Sequence, residues 1–289
     1  MKKIAWSIFV DNICSRILIA YLLLLALMTW TAVLMEDSAS KASLTILNLV
    51  LLVVPLMTLL YTTIYLYNSR EYIVLLLAQP LRRAQIWNSL YAGTSGSMTA
   101  MLLLGAAVPI FLYTDTSSAI AIILMAILTT MIFTSAGMLV VAYVDDKARG
   151  IGLAILIWLL LTIIYDALCL YALFMLSQWP VEKPVMWLLM LNPQDLSRFL
   201  VILRTDASAM MGYSGAAFRQ FLGEALGTAA AVVLLLLWIV VPYLLSLRRF
   251  RKKDLLRAVS IGVNLVRSRY MGLVLGVHER CTRSARAMY

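Results

Sequence analysis

Two carboxylates stand in apolar stretches that are long enough to cross a membrane. Asp166 lies in the fifth such stretch, and Glu224 lies at the start of the sixth. A buried charge without a partner is costly in a bilayer, so each acid is a candidate for function. Asp166 has two interpretations. It is predicted to have a structural role, in which it hydrogen-bonds to a neighbouring helix or faces a water-filled external vestibule; the alternative is that it lines a translocation path. Glu224 is predicted to start its helix, where the dipole favours a negative charge, with a translocation path as the alternative.

Methionine is the second residue type that could do chemistry, since the chain has 16 of them. Thioethers are soft ligands that suit monovalent copper. Apolar filling is the more common use of methionine, so no metal site is predicted. The weak candidates for metal ligands all fall after the fifth apolar stretch: Met186, Met190, Met210 and Met211.

The residues needed for covalent catalysis are scarce. The one histidine, His278, lies in a basic tail, and the three cysteines have no CxxC spacing. The glycines of 93–99 lack the GK[ST] ending of a phosphate-binding loop and fall inside an apolar stretch. We therefore expect this chain to be no enzyme and to bind no cofactor itself.

Composition predicts an all-α protein that crosses the membrane several times. Hydrophobic residues make up 63% of the chain and charged residues only 13%, whereas soluble domains are about a quarter charged. The net charge of +10 comes mostly from residues beside the apolar stretches, which indicates membrane topology rather than nucleic-acid binding. Six stretches have the length of a membrane span: 17–35, 43–67, 89–113, 117–144, 151–177 and 221–247.

Basic residues determine the predicted orientation. With a cytoplasmic N-terminus, 19 of the 24 Lys and Arg residues fall on the inner side and 5 on the outer side. Both termini are therefore predicted to be cytoplasmic, in the inner membrane of a bacterium. On this topology, Asp166 lies about 22 Å along the fifth span, in the outer half of the bilayer.

Two connections between the spans are long enough to carry structure of their own. The cytoplasmic connection 68–88 contains an apolar run, 72–78, that is too short to span and is bounded by charges. It is predicted to lie along the membrane boundary, with its apolar side against membrane or a partner protein. The external connection 178–220 is predicted to hold a short re-entrant or interfacial pair of helices, broken at Asn192-Pro193.

Small residues open the third span. Ala92, Gly96 and Ala100 recur at four-residue spacing, which lets another helix approach closely. The pattern favours packing within one subunit and leaves a sliding or dimer contact as the alternative.

The cytoplasmic connection resembles a known signature. Glu71 followed by LLLAQPLRR, residues 75–83, is similar to the coupling helix of the membrane subunits of type-2 ABC exporters. Three motifs resemble the subgroup that matures nitrous oxide reductase: DKARGIG at 146–152, NPQDLSR at 192–198 and MGYSGAAF at 211–218. The resemblance covers residues 1–254 as one permease domain, and 255–289 is left as a basic cytoplasmic tail without an assignment.

The resemblance implies a homodimer with a separate ATPase, which binds ATP and magnesium, below it and a periplasmic partner above it. Such an assembly is thought to supply something needed for the copper–sulfur site of nitrous oxide reductase. The residues implied to couple to the ATPase are Glu71, Leu76, Leu77, Gln79, Pro80, Arg82 and Arg83. Those of the implied periplasmic motif are Asn192, Pro193, Asp195 and Arg198.

Two alternatives remain open at the level of sequence. The chain could belong to a permease of the same class that moves a lipid, a peptide or a drug. It could also be a membrane scaffold that passes a conformational signal to a periplasmic protein without moving a solute, because Asp166 is the only obvious polar foothold for cargo in the inner spans.

Overall fold

The computed structural model describes residues 2–36, 38–175, 190–204 and 225–252, and every regular element within these ranges is helical. The predicted all-α class is confirmed. Six helical stretches are long and apolar enough to cross a membrane, and we call them spans one to six: Arg16–Met35, Lys41–Asn68, Arg83–Tyr113, Thr116–Tyr143, Lys147–Tyr171 and Gly227–Lys252.

The helices in these ranges carry the labels used below. The first six are α1 (Lys2–Ile13), α2 (Arg16–Met35), α3 (Ala39–Asn68), α4 (Arg70–Leu77), α5 (Arg83–Leu102) and α6 (Val108–Tyr113). The remaining five are α7 (Thr116–Tyr143), α8 (Lys147–Leu159), α9 (Tyr165–Met175), α10 (Pro193–Arg204) and α11 (Ala225–Lys252). Two π-helical turns, Leu103–Ala107 and Leu160–Ile164, join α5 to α6 and α8 to α9 within spans three and five.

Local sequence explains where several helices begin and bend. Ser15 precedes α2, and its hydroxyl accepts the Leu18 amide at 3.3 Å. Asp146 precedes α8 and accepts the Arg149 amide at 3.2 Å in the same way. Pro55 interrupts the hydrogen-bond ladder of α3, because proline has no N–H to donate.

Spans two and four form the centre of the bundle. Their most apolar windows are 56% and 61% buried, whereas that of span five is only 11% buried. Helix α11 packs along α7, and the short helix α10 contacts α3, α7 and α11. The outer helix α10 therefore touches the central pair directly, and span five lies at the edge.

The small residues of span three receive the N-terminal helix of the same chain. A Cβ on Gly93 would lie 2.6 Å from the Ile8 side chain, and a Cβ on Gly96 would meet Phe9 at 3.4 Å. Helix α1 packs against α5 along this face. The contact favours packing within one subunit for this part of the stripe.

Candidate functional site

The connection 68–88, which the sequence predicts to be cytoplasmic, forms a short helix and a turn. Helix α3 ends at Asn68, α4 follows after Ser69, and residues 78–82 form a turn before α5. The third span thus begins as a helix at Arg83, six residues earlier than the apolar pattern predicts. We call residues 70–82 the coupling segment, and α3 and α5 leave it in the same direction through the bundle.

One face of the coupling segment is buried in the chain itself. Ile73 and Leu76 are each 5% exposed and belong to an apolar cluster with Leu66, Trp87 and Met138. These partners come from α3, α5 and α7, so the segment is attached to spans two, three and four. Leu76, which the resemblance places among the coupling residues, is therefore an anchor inside the chain.

The opposite face of the coupling segment is open. Leu75 is 67% exposed, so its side chain is available to contact the membrane boundary or a partner protein. Among the predicted coupling residues, Leu77 and Arg83 are half-buried. The remaining predicted residues are exposed beside Leu75: Glu71, Gln79, Pro80 and Arg82.

The turn between spans four and five braces the start of the segment. The Tyr67 hydroxyl donates to the Val144 carbonyl at 2.9 Å, and Lys147 Nζ donates to Asn68 Oδ1 at 2.8 Å. Gly150 lies directly against the Tyr67 ring, where no Cβ would fit. Sequence reasoning found the motif that contains Gly150 but not its partner Tyr67.

The end of span six braces the other side. The rings of Trp87 and Phe250 stack with centroids 4.2 Å apart, and Trp87 Nε1 donates to Ser246 Oγ at 3.0 Å. The guanidinium of Arg83 donates to the Arg251 carbonyl at 3.2 Å. Arg83 thus has a structural contact within the chain, whereas Arg82 faces outward.

A cleft opens beside the coupling segment. It has a volume of about 410 Å³ and lies between α1, the end of α3 and the start of α4. Its polar walls include Asp11, Asn68 and Ser69, with Tyr72 at the coupling segment. The N-terminal helix and the coupling segment therefore line one cleft at the same end of the bundle.

A polar cluster occupies the other end of the bundle. Arg198 Nη1 lies 3.2 Å from Asp166 Oδ2 and 3.8 Å from Asp195 Oδ1. Asn192 Nδ2 donates to the second oxygen of Asp195 at 3.0 Å. The fold thus joins Asp166 of span five to the predicted periplasmic motif of α10, and Asp166 meets a neighbouring helix as one of its two interpretations predicts.

Burial dominates the electrostatics of Asp195. Removal from solvent, together with a hydrogen bond and the negative charge of Asp166, raises the pKa of Asp195 to about 7. The Arg198 guanidinium and the Asn192 amide act in the opposite direction. Helix α10 lies outside the six spans, and its N-terminal turn is nevertheless packed inside the bundle.

Gln194 belongs to this outer cluster, although sequence reasoning missed it. Its Nε2 donates to the Leu51 carbonyl at 2.6 Å, and its Oε1 accepts the Thr162 hydroxyl at 2.6 Å. Asn192 Nδ2 also donates to the Leu161 carbonyl at 2.8 Å. The available signal was Pro55, four residues after Leu51, because it deprives that carbonyl of its helical donor.

The remaining candidates divide between the core and the undescribed part of the chain. Met190 packs against the main apolar cluster, as expected of a filling methionine. Glu224, Met186, Met210 and Met211 lie outside the described residues.

Comparison with known proteins identifies the class. Residues 2–255 match the family described as ABC-2 family transporter protein. The chain belongs to this family. It is accordingly a multi-pass permease subunit of an ABC transporter, and the family implies an ATPase partner subunit.

A curated relative in this family is the "Probable ABC transporter permease protein NosY" of Stutzerimonas stutzeri. It is 29% identical over 228 residues, which cover 71% of this chain and 78% of the relative.

Proposed function

We propose that this permease couples ATP hydrolysis in its partner subunit to export or signalling across the inner membrane, in the maturation of the copper–sulfur site of nitrous oxide reductase. The observation that carries the coupling role is the two-sided coupling segment. Its inner face is anchored in spans two, three and four, and its outer face exposes Leu75 with Glu71 and Arg82.

The anchoring gives a direct mechanical route. A push on the exposed face is opposed by packed side chains rather than by a flexible loop, so it displaces the helices attached to it. Helices α3 and α5 continue from the coupling segment toward the outer side, and rigid-body rocking of such helices is a common mode of transmission. ATP and magnesium belong to the partner ATPase in this scheme, and this chain binds no cofactor.

Two further features support the maturation role, and a third supports the orientation in the membrane. The named relative is a NosY permease. The motif Asn192 to Arg198 forms a packed outer cluster that a periplasmic partner could sense through α10. The excess of basic residues on one side supports cytoplasmic termini. The assembly proposed is a homodimer of this chain, with the ATPase below and a periplasmic partner above.

The coupling role is tested by adding negative charge to the exposed face of the coupling segment while the buried residues Ile73 and Leu76 stay unchanged. Leu75→Glu combined with Arg82→Glu places two carboxylates on the outer face, and we expect the ATPase subunit to be lost from the purified complex. Arg248→Glu is the matched control, since this arginine is exposed at the end of span six. Retention of the ATPase by the double variant, with normal membrane insertion, would contradict the coupling role.

A second candidate is a permease-like scaffold that signals to a periplasmic protein without moving a solute. Asp166, the polar residue best placed to bind cargo, is occupied by Arg198 of the same chain. ATP-dependent uptake of radiolabelled sulfur or copper species by inverted vesicles separates the two candidates. Uptake supports transport, and absence of uptake with intact ATP hydrolysis supports signalling or a different cargo such as a lipid, a peptide or a drug.

A further inference from the structure

Two backbone carbonyls in the bundle receive side-chain donors from the start of α10. Leu51 lies four residues before Pro55, so its carbonyl has no α-helical donor. Leu161 lies in the π-helical turn of span five, where the hydrogen-bond ladder changes register. Gln194 Nε2 reaches the first carbonyl at 2.6 Å, and Asn192 Nδ2 reaches the second at 2.8 Å.

Gln194 uses both ends of its amide. While its nitrogen donates to span two, its oxygen accepts the Thr162 hydroxyl of span five at 2.6 Å. Its side chain is buried, with 3% of the residue exposed. A leucine of similar size could fill the same space but could make neither hydrogen bond, so the amide supplies a directional link between three helices.

The same two spans are also joined at their cytoplasmic ends. Lys147, the first residue of α8, donates to Asn68, the last residue of α3, and Tyr67 donates to the turn that precedes α8. Span five is otherwise only 11% buried. It packs directly on span two through α8 and α3, and Trp158 Nε1 donates to the Leu52 carbonyl at 3.3 Å. Toward α10, its contacts include Gln194 Oε1, which accepts the Thr162 hydroxyl.

We propose that Gln194 is a positioning residue that transmits displacement of span two, together with span five packed on it, to the outer helix α10. The proposal rests on the coupling function proposed above, because the displacement begins at the coupling segment that follows α3. Pro55 contributes to this link, because it has no N–H to donate to the Leu51 carbonyl and so leaves that carbonyl available to Gln194. Movement of α3 and span five then carries Gln194, and with it the N-terminal turn of α10.

The test uses the full complex with its ATPase subunit and a cysteine reporter on the outer side. Leu191 is 61% exposed and directly precedes the cluster, so Leu191→Cys serves as the reporter after the native cysteines are replaced by alanine. The rate of labelling by an impermeant maleimide is compared between ADP and a non-hydrolysable ATP analogue. We expect a ratio of rates different from one in the reporter protein and a ratio of one when Gln194→Leu is added.

Pro55→Ala provides the matched control for stability. In the Gln194→Leu protein the Leu51 carbonyl is buried without a donor, so the melting temperature should fall. Alanine at 55 restores a backbone N–H to that carbonyl, so the double variant should recover the melting temperature without recovering the nucleotide response. If Gln194→Leu alone fails to fold, the double variant gives the labelling result.

The outcomes distinguish the role of Gln194 from the coupling function. A nucleotide response that survives in either variant overturns the role of Gln194 and leaves the coupling function intact. A reporter protein that shows no nucleotide response, although its ATPase is bound and active, contradicts the coupling function and the role of Gln194 with it.

Discussion

The coupling segment and the outer cluster both contact span two, and they hold it by different physical means. The coupling segment is anchored by apolar side chains such as Ile73 and Leu76, and its polar groups mostly face outward. The outer cluster buries Asn192, Gln194 and Asp195 and joins its helices through hydrogen bonds. Apolar packing tolerates sliding, whereas buried hydrogen bonds are directional and expensive to leave unmade. In the function proposed above, the coupling segment receives the push and the outer cluster determines which helices respond.

The largest expected effect tests the apolar side of this comparison. Trp87→Ala removes a ring that is 2% exposed and stacked on Phe250. We expect a loss of about 3–5 kcal/mol of stability, because large buried aromatic rings leave cavities that close poorly. Denaturant unfolding in detergent measures it. Trp87→Phe keeps the stacking and serves as the control, and equal stability of all three proteins would show that packing does not hold this end.

The next effect concerns the brace between Tyr67 and Gly150. Gly150→Ala adds a Cβ where the Tyr67 ring lies, and we expect about 1–3 kcal/mol of destabilisation from overpacking. Gly152→Ala is the control two residues away, since a Cβ there has nothing within 4 Å. Thermal unfolding of the two variants should differ clearly. If Gly150→Ala matches Gly152→Ala, the brace is looser than the contact indicates.

A smaller effect concerns the pH dependence of stability that the outer cluster should produce. The folded-state pKa of Asp195 lies near 7, above its ordinary value of 3.8, because burial and the neighbouring Asp166 favour the protonated form. The folded state therefore binds the proton more tightly than the unfolded state, and stability should fall as the pH rises from about 4 to about 7. Melting temperatures across this range should show the decline, and Asp195→Asn should flatten it. An unchanged slope in that variant would assign the pH dependence to other groups.

The smallest effect sharpens the contrast between surface and buried polar contacts. Arg70 and Asp145 approach to 3.9 Å at the cytoplasmic end, with side chains that are 37% and 71% exposed. Replacing Asp145 by Asn should change stability by less than about 0.5 kcal/mol, since water and salt screen such pairs. A double-mutant cycle with Arg70→Gln measures the pair. A coupling energy as large as the Trp87 effect would remove the distinction between exposed and buried contacts.

Patterns that are local in sequence allowed much of the fold to be predicted. Apolar length identified six spans, and the confinement of a short apolar run between Arg70 and Arg82 identified the coupling segment as a separate element. The Asn192-Pro193 pair marked the start of α10, because the residue before a proline disfavours a helical conformation. Each of these depends on neighbours along the chain, which a sequence displays directly.

Features that depend on which helices meet could not be predicted. Leu75 and Leu76 are adjacent and identical in type, and only the packing of α4 on α3 and α5 determines that Leu76 is buried and Leu75 exposed. Gln194 is an ordinary polar residue until the fold brings it beside Leu51, which is 143 residues away in the chain. The pairing of Asp166 with Arg198 likewise needs the fold, since either charge alone allows several interpretations.

The exposed Leu75 has a consequence for the life of the protein before it is assembled. In the coupling role proposed above, the ATPase covers Leu75, and a copy synthesised without it leaves this apolar side chain exposed to chaperones and quality-control proteases. Surplus copies should then be degraded, so the abundance of this membrane protein would follow the supply of its soluble companion. Production in a heterologous host should accordingly yield most when both are synthesised together.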